Sequence, residues 1–202
     1  MGLPFTCIPA TIDETPPPAL TPRQVAEDLA LKKALSVAEH HPVAPPIPDP
    51  SFPIPHSSLP IPHSLVPIPQ SPIWVFAADT IVVLSNEIFG KPTDREAARQ
   101  MLERLSGKRH EVITAIALYN RQTERADCRS VSCSVEFAPL SAAEIGWYLD
   151  TGEWQGAAGA YRLQELGGCL VKAINGSPSA VAGLPLYDFY VMLRDNGYQF
   201  GA

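Results

Sequence analysis

A carboxylate and a hydroxyl stand side by side in a stretch that is otherwise apolar. Residues 74–84 read WVFAADTIVVL, and this run of apolar and β-branched residues predicts a buried strand that contains Asp79 and Thr80. Burying a carboxylate is costly unless it is paired, hydrogen-bonded or bound to a metal, so Asp79 is a candidate for catalysis. The alternative is structural, because an aspartate near the end of a strand can cap the following loop.

A lysine follows this strand on a short, stiff turn, Gly90-Lys91-Pro92. An acid and a lysine on either side of one short loop suit a phosphate substrate and its metal ion, because both the phosphate charge and an oxygen-loving cation find partners there. The sequence contains no Walker A loop and no GxGxxG, GxSxG or HExxH motif. Phosphate binding must therefore come from scattered side chains.

The chain has the size of one domain, with or without a disordered segment. It has 202 residues, of which 46% are hydrophobic, and its net charge is −6. The acidic balance argues against general nucleic-acid binding but not against a nucleotide substrate, which needs only a local basic pocket. The four cysteines show no zinc spacing, and no apolar run reaches the ~20 residues that span a bilayer. We therefore expect a cytoplasmic protein with reduced thiols and no nucleic-acid or membrane partner.

Helix and strand signals alternate along the chain, which predicts an α/β (or α+β) fold with layered packing. Three capping boxes predict helix starts at Thr21, Thr93 and Ser141, because glutamine or glutamate stands three residues after each of them. A hairpin of two of the strands predicts a mixed sheet. The predicted elements are strands at 6–12, 74–84, 110–118, 131–137 and 168–174, and helices from 21, from 93 to about 107, at 141–149 and at 186–194.

Residues 42–72 interrupt this pattern with a proline-rich repeat. The segments SFPIPHS, SLPIPHS and LVPIPQS form three seven-residue copies, and the segment holds 12 of the 22 prolines. Proline lacks the backbone donor that ladders and helices need. We therefore expect a disordered or polyproline II insertion.

Several separate motifs, in the right order, resemble the Maf family, whose members are nucleoside triphosphate pyrophosphatases. The resemblance implies one Maf-like domain formed by residues 1–41 and 73–202, with a mixed, twisted sheet flanked by helices. The matching motifs are IPATIDETP at 8–16, AADTIVVL at 77–84, GKP at 90–92, EAARQMLERLSGKRHEVITAIAL at 96–118, AGAYRLQELGG at 158–168 and VAGLPL at 181–186.

In the Maf family, a Ser-x-x-Arg-Arg loop that contacts the substrate phosphates precedes the first of these motifs. This sequence contains no such motif. We therefore expect either that the chain is truncated at its N-terminus relative to the family or that its start has been assigned too late.

The resemblance implies roles for four charged residues. Asp79 matches the proton acceptor of the family. Glu14 and Lys33 match the acidic and basic positions that flank the phosphates, and Lys91 matches the phosphate-binding lysine. Glu14 and Asp79 are also the expected ligands of a divalent cation, Mg²⁺ or Mn²⁺, that is bound together with the triphosphate.

Two neutral residues match positions linked to base specificity. Thr80, directly after the aspartate, and Gln164 are similar to the subgroup that acts on dTTP and UTP. A glutamine amide donates and accepts at once, which suits a pyrimidine edge. The expected reaction is hydrolysis of dTTP, UTP or modified nucleotides to the monophosphate and pyrophosphate.

Two other interpretations remain open at this point. The chain could be an inactive or truncated relative of the family, in which case pyrophosphate release from dTTP would be absent. The proline-rich repeat could instead make it an interaction module that docks on an aromatic groove of a partner. A homodimer is a further possibility.

Overall fold

The sheet is built around one long hairpin. The computed structural model describes residues 3, 5–15, 17, 19–40 and 74–200. The predicted insertion at 42–72 lies outside these residues. The five described strands have the order β2-β1-β3-β4-β5. They are β1 (Trp74–Leu84), β2 (Glu87–Phe89), β3 (Arg109–Asn120), β4 (Arg125–Phe137) and β5 (Val171–Asn175).

Helices cover both faces of this sheet, so the predicted α/β class with a sheet flanked by helices is confirmed. The helices are α1 (Pro22–His40), α2 (Arg95–Leu105), α3 (Ala142–Thr151), α4 (Pro178–Val181) and α5 (Leu186–Asp195), with 3-10 turns at Ala158–Ala160 and Leu166–Leu170. None of the described helices is long and apolar enough to cross a membrane.

The ladders between the described strands are all antiparallel. The expected mixture of strand directions is therefore absent among them. The reason is the connectivity. The pairs β1–β2 and β3–β4 are direct hairpins, and the longer connections bring β3 back beside β1 and β5 back beside β4, each in the opposite direction.

Alanines let α1 lie close to one face of the sheet. Ala26, Ala30 and Ala34 recur at helical spacing and pack on Ile81 and Ile113. The predicted cap is confirmed, because Thr21 Oγ1 and its backbone N–H both bond to Gln24 Oε1, at 2.9 and 3.0 Å. Helix α1 and the sheet thus share one core, although more than thirty residues separate the end of α1 from the start of β1 in the sequence.

The opposite face carries the larger core. Tyr148 of α3 and Leu102 of α2 are fully buried there against Phe137 at the end of β4. Ser141 caps α3 with both bonds of a capping box, as predicted. The final helix also lies where the sequence places it, one residue longer.

The sequence-based bounds need correction in four places. Strand β4 begins at Arg125 instead of 131, because its pairing with β3 continues up to the turn, where Asn120 pairs with Arg125. The predicted strand at 6–12 is wrong: these residues join no ladder and are largely exposed, and Pro9 has no N–H to donate. Helix α2 is capped by Asp94, which accepts from Ala97 N at 2.8 Å, rather than by Thr93. Strand β5 begins at Val171 instead of 168, because residues 166–170 form 3-10 turns.

Candidate active site

The free edge of β1 opens into a cavity. Strand β2 pairs only with residues 82–84, so no described strand covers the preceding part of β1 on that side. Side chains from both faces of β1 can therefore reach the same space around the edge. A cavity of about 240 Å³ lies there, and it is lined by five of the six residues singled out from the sequence: Lys33, Asp79, Thr80, Lys91 and Gln164.

Four charged groups meet at the α1 side of this cavity. Asp79 is buried, with 9% of its side chain exposed, and it forms an ion pair with Lys33 from α1. Lys33 also bonds to Glu14 at 2.9 Å, and the second Glu14 oxygen bonds to Lys91 at 2.7 Å. Glu14 does not line the cavity itself. It links the two lysines, so the order of the chain of contacts is Asp79, Lys33, Glu14, Lys91.

The pKa values in this chain of contacts are shifted by burial and pairing. Burial raises the pKa of Asp79, and the hydrogen bond and charge of Lys33 only partly oppose this. Burial alone would lower the pKa of Lys33, but its bonds to Asp79 and Glu14 outweigh that effect and the pKa is raised. The bonds from Lys91 and then Lys33 lower the pKa of Glu14. The charged form of Lys33 is therefore favoured, and of the two carboxylates only Asp79 has a pKa that is raised rather than lowered.

Thr80 stands on the other face of β1 because side chains alternate along a strand. Its partner across the sheet is Thr114 of β3. The two hydroxyl oxygens lie 2.9 Å apart, and Thr114 Oγ1 donates to the carbonyl of Ala180 in α4 at 2.7 Å. The glycine that follows α4, Gly183, leaves room beside Thr80, since a Cβ there would sit 3.6 Å from Thr80 Oγ1.

Gln164 lies on a loop that is held by the neighbouring arginine. Arg162 donates from Nε to the carbonyl of Glu153 at 2.9 Å and from Nη2 to that of Gln155 at 2.8 Å. Its backbone N–H donates to the Tyr148 hydroxyl at 3.2 Å. These contacts tie the loop to the backbone at residues 153 and 155 and to the buried Tyr148, so the amide of Gln164 is presented from a defined backbone.

A buried histidine supports the same wall of the cavity. His110 Nε2 lies 2.9 Å from the hydroxyl of Tyr161, which lines the cavity. The two rings meet edge-on, and His110 also packs edge-on against Phe137. Burial lowers the pKa of His110 to about 4, so its ring is neutral at physiological pH.

The donor set fits a divalent cation that substrate phosphates help to hold. The described residues contain no group of three or more histidine, cysteine, aspartate or glutamate side chains that could bind a metal alone. Glu14 and Asp79 are both joined to Lys33, however, which keeps the two carboxylates near each other, Asp79 in the cavity wall and Glu14 just outside it. Magnesium is commonly bound through one or two carboxylates plus phosphate oxygens and water, so two protein ligands suffice.

Sequence reasoning did not identify Thr114, Arg162 or His110. Thr114 had a usable signal, because it is a hydroxyl inside the apolar run VITAIAL, as Asp79 and Thr80 are in theirs. What the sequence does not give is the register that sets Thr114 opposite Thr80. The contacts of Arg162 are to backbone carbonyls, which no residue pattern marks.

The chain is similar to known proteins over nearly its whole length. A family model described as "Maf-like protein" matches residues 1–196. A dTTP/UTP pyrophosphatase of Rhodospirillum rubrum is 39% identical over 193 residues, which are 96% of this chain and 78% of the relative. Proteins of the same name from Myxococcus xanthus and Symbiobacterium thermophilum are 38% and 36% identical, over 96% and 98% of this chain and 82% and 86% of their own. The chain belongs to the Maf family.

Proposed function

We propose that this protein hydrolyses dTTP and UTP to the nucleoside monophosphate and pyrophosphate. The observation that carries the proposal is the cavity at the edge of β1, which joins a buried carboxylate and two lysines to two neutral hydrogen-bonding side chains. The charges of Asp79, Lys33 and Lys91 suit a triphosphate, and the neutral polar groups of Thr80 and Gln164 suit a base. Arg162 also lines the cavity, but its guanidinium group is held by the backbone carbonyls of Glu153 and Gln155. The names of the relatives support the same substrates.

Asp79 acts as the general base in this proposal. Water attacks the α-phosphorus, the bond from that phosphorus to the bridging oxygen breaks, and pyrophosphate leaves with the bond electrons. Asp79 takes the proton of the water. Its raised pKa brings it closer to the operating pH than an ordinary aspartate, which is what an efficient base requires.

The lysines neutralise the phosphate oxygens. Lys33 is mostly buried and held between two carboxylates, whereas Lys91 is half-exposed at the mouth of the cavity. Lys33 is therefore the fixed contact, and Lys91 is the one that can move with the substrate. Glu14 and Asp79 would hold Mg²⁺ or Mn²⁺, which would offset phosphate charge when bound.

The neutral side of the cavity reads the pyrimidine. Thr80 and Gln164 both line it, and neither carries a charge that would attract phosphate. The Gln164 amide can accept from an imide N–H or donate to a carbonyl. This arrangement favours thymine and uracil, which alternate carbonyl and N–H groups along one edge.

The test is a substrate panel with the purified chain and Mg²⁺ or Mn²⁺. Release of pyrophosphate, and not orthophosphate, is expected from dTTP and UTP at higher kcat/KM than from dCTP, dGTP or dATP. Asp150→Asn is a matched control for Asp79→Asn, because Asp150 is 72% exposed, pairs with Arg95 and lies outside the cavity. No pyrophosphate from any nucleotide would contradict the proposal and favour an inactive relative.

Three further features complete the proposal: the domain, the location in the cell and the oligomeric state. Residues 1–41 and 73–202 act as one domain, which the shared core of α1 and the sheet supports. The protein works in the cytoplasm, consistent with four free cysteines, and it could form a homodimer. Fractionation of the source cells and light scattering of the purified chain test the last two points.

A further inference from the structure

We propose that Thr114, which does not line the cavity, sets the direction of the Thr80 hydroxyl and so makes Thr80 a hydrogen-bond acceptor toward the base. Thr114 would thus be a positioning residue for substrate choice. The inference rests on the function proposed above, in which Thr80 faces a pyrimidine.

Thr114 is shielded from solvent. Its side chain is completely buried at the centre of the sheet, so its hydroxyl has no contact with bulk water. Two oxygens lie within hydrogen-bond distance, the Ala180 carbonyl at 2.7 Å and the Thr80 hydroxyl at 2.9 Å. A hydroxyl has one proton to donate and can accept through its lone pairs.

Counting protons leaves one consistent arrangement. The carbonyl of Ala180 can only accept, so the single proton of Thr114 must point to it. The Thr80 contact is then a hydrogen bond only if Thr80 donates to Thr114. The alternative would place two oxygen lone pairs against each other at 2.7 or 2.9 Å in a buried site, which is unfavourable. The chain of donation therefore runs from Thr80 to Thr114 to Ala180.

This order removes the only donor of Thr80 from the cavity. The side of the Thr80 oxygen that faces the substrate carries lone pairs alone. Thymine and uracil present an N–H at ring position 3 and can donate to it. Cytosine has an unprotonated ring nitrogen at the same position and would meet it lone pair to lone pair. This order of hydrogen bonds thus lets Thr80 favour imide pyrimidines without carrying a charge.

The experiment changes Thr114 and keeps Thr80. Thr114→Val has nearly the same shape but neither accepts nor donates, so the Thr80 hydroxyl becomes free to donate to a base. Thr114→Ser keeps both hydrogen bonds. The readouts are the ratio of affinities for the α,β-imido analogues of dTTP and dCTP, by calorimetry, and the ratio of kcat/KM for dTTP and dCTP.

Thr114→Val should lower both ratios by about tenfold, the worth of one hydrogen bond whose polarity is reversed, whereas Thr114→Ser should keep the parent ratios. Ile113→Val is the matched control, because this neighbour is also buried but belongs to the α1 face. It should lower the melting temperature without changing either ratio. A merely structural role of Thr114 would lower stability in both variants and leave both ratios at the parent value.

The outcomes separate this inference from the proposed function. A parent that binds the dTTP analogue better but releases no pyrophosphate would contradict the proposed function and leave the proposed role of Thr114 intact. Unchanged ratios in a folded Thr114→Val protein, or a parent that binds both analogues equally or neither, would overturn the role of Thr114. If Thr114→Val does not fold, neutron diffraction of the parent decides: the Thr114 proton should point to the Ala180 carbonyl, and a proton directed at Thr80 refutes the inference.

Discussion

The two faces of β1 differ at the site although the residues involved are adjacent. The α1 face carries Asp79, paired with Lys33, whereas the opposite face carries Thr80 in a chain of neutral hydroxyl contacts. One step along the strand exchanges ions for uncharged hydrogen bonds, because successive side chains point to opposite faces. We refer to these as the charged face and the neutral face.

The difference shows how one edge of a sheet can serve two parts of one ligand. Both faces reach the same cavity because β2 has only three residues, pairs only with residues 82–84 and leaves the preceding part of this edge of β1 uncovered. Ions on the neutral face would compete for the phosphates, and a lone carboxylate without Lys33 would be costly to bury. Keeping Asp79 and Lys33 on one face of β1 separates their ion pair from the neutral hydroxyl of Thr80 on the other face.

The largest expected effect comes from removing the base on the charged face. Asp79→Asn keeps the shape and removes the proton acceptor, so turnover of dTTP should fall by about 10²–10⁴-fold. Steady-state pyrophosphate release measures it, and circular dichroism should show an unchanged fold. A variant that unfolds would instead make Asp79 a structural residue.

Acid should destabilise the protein through His110 of β3, which lies on the same side of the sheet as the neutral face of β1 and packs against Phe137 and Tyr161. Its pKa is lowered to about 4 by burial, whereas the unfolded chain binds a proton near pH 6.5. The stabilising contribution is full above pH 6.5, is lost as the pH falls toward 4, and changes no further below that. Over that window, on the order of 3 kcal/mol of unfolding free energy should be lost.

Urea unfolding at pH 7, 5.5 and 4 measures this loss. The control is His110→Gln, whose amide can still bond to the hydroxyl of Tyr161 but does not titrate. The difference between parent and variant removes the contribution of the carboxylates. Parallel stability curves for the two proteins would mean that His110 titrates normally in the fold.

The two lysines of the charged face should differ in their effect on pH dependence. Lys33→Met removes the partner that holds down the pKa of Asp79, so the acidic limb of the kcat/KM profile for dTTP should move to higher pH. Losing this charge-assisted contact should also lower kcat/KM by roughly 10–100-fold. Lys91→Met, at a half-exposed position, should move the limb much less. Equal shifts in both variants would contradict the distinct positions of the lysines.

A smaller effect is expected at Gln164, on the neutral side of the cavity. Gln164→Glu keeps the size but replaces the amide donor with an acceptor, so the preference for dTTP over dGTP should drop by about tenfold. The ratio of kcat/KM values measures it. An unchanged ratio would remove Gln164 from base reading.

The sequence predicted the parts of this site that depend on local pattern. Asp79 and Thr80 stood out because polar residues interrupt an apolar strand, and Thr21 and Ser141 were found as caps because capping needs only four neighbouring residues. The stretch at 6–12 misled because it is apolar but has no partner strand in the described structure.

What the sequence did not yield depends on long-range register. Thr114 bonds to the carbonyl of Ala180 66 residues away, and its place opposite Thr80 follows from the pairing of β1 with β3. Both facts require the assembled sheet. The cap of α2 was misplaced by one residue because Thr93 and Asp94 are both good capping residues, and local pattern does not choose between them.

The most direct test of the separation between the two faces compares Asp79→Asn with Thr114→Val on dTTP and dCTP. The measurement is pyrophosphate release under the same conditions, with kcat/KM for each nucleotide. Asp79→Asn should lose at least ~100-fold on both nucleotides and keep the parent ratio, whereas Thr114→Val should change the ratio itself. Hydrolysis of dTTP by Asp79→Asn at the parent rate would contradict the role of the charged face. A change in the dTTP-to-dCTP ratio as large in Asp79→Asn as in Thr114→Val would contradict the separation of the two faces.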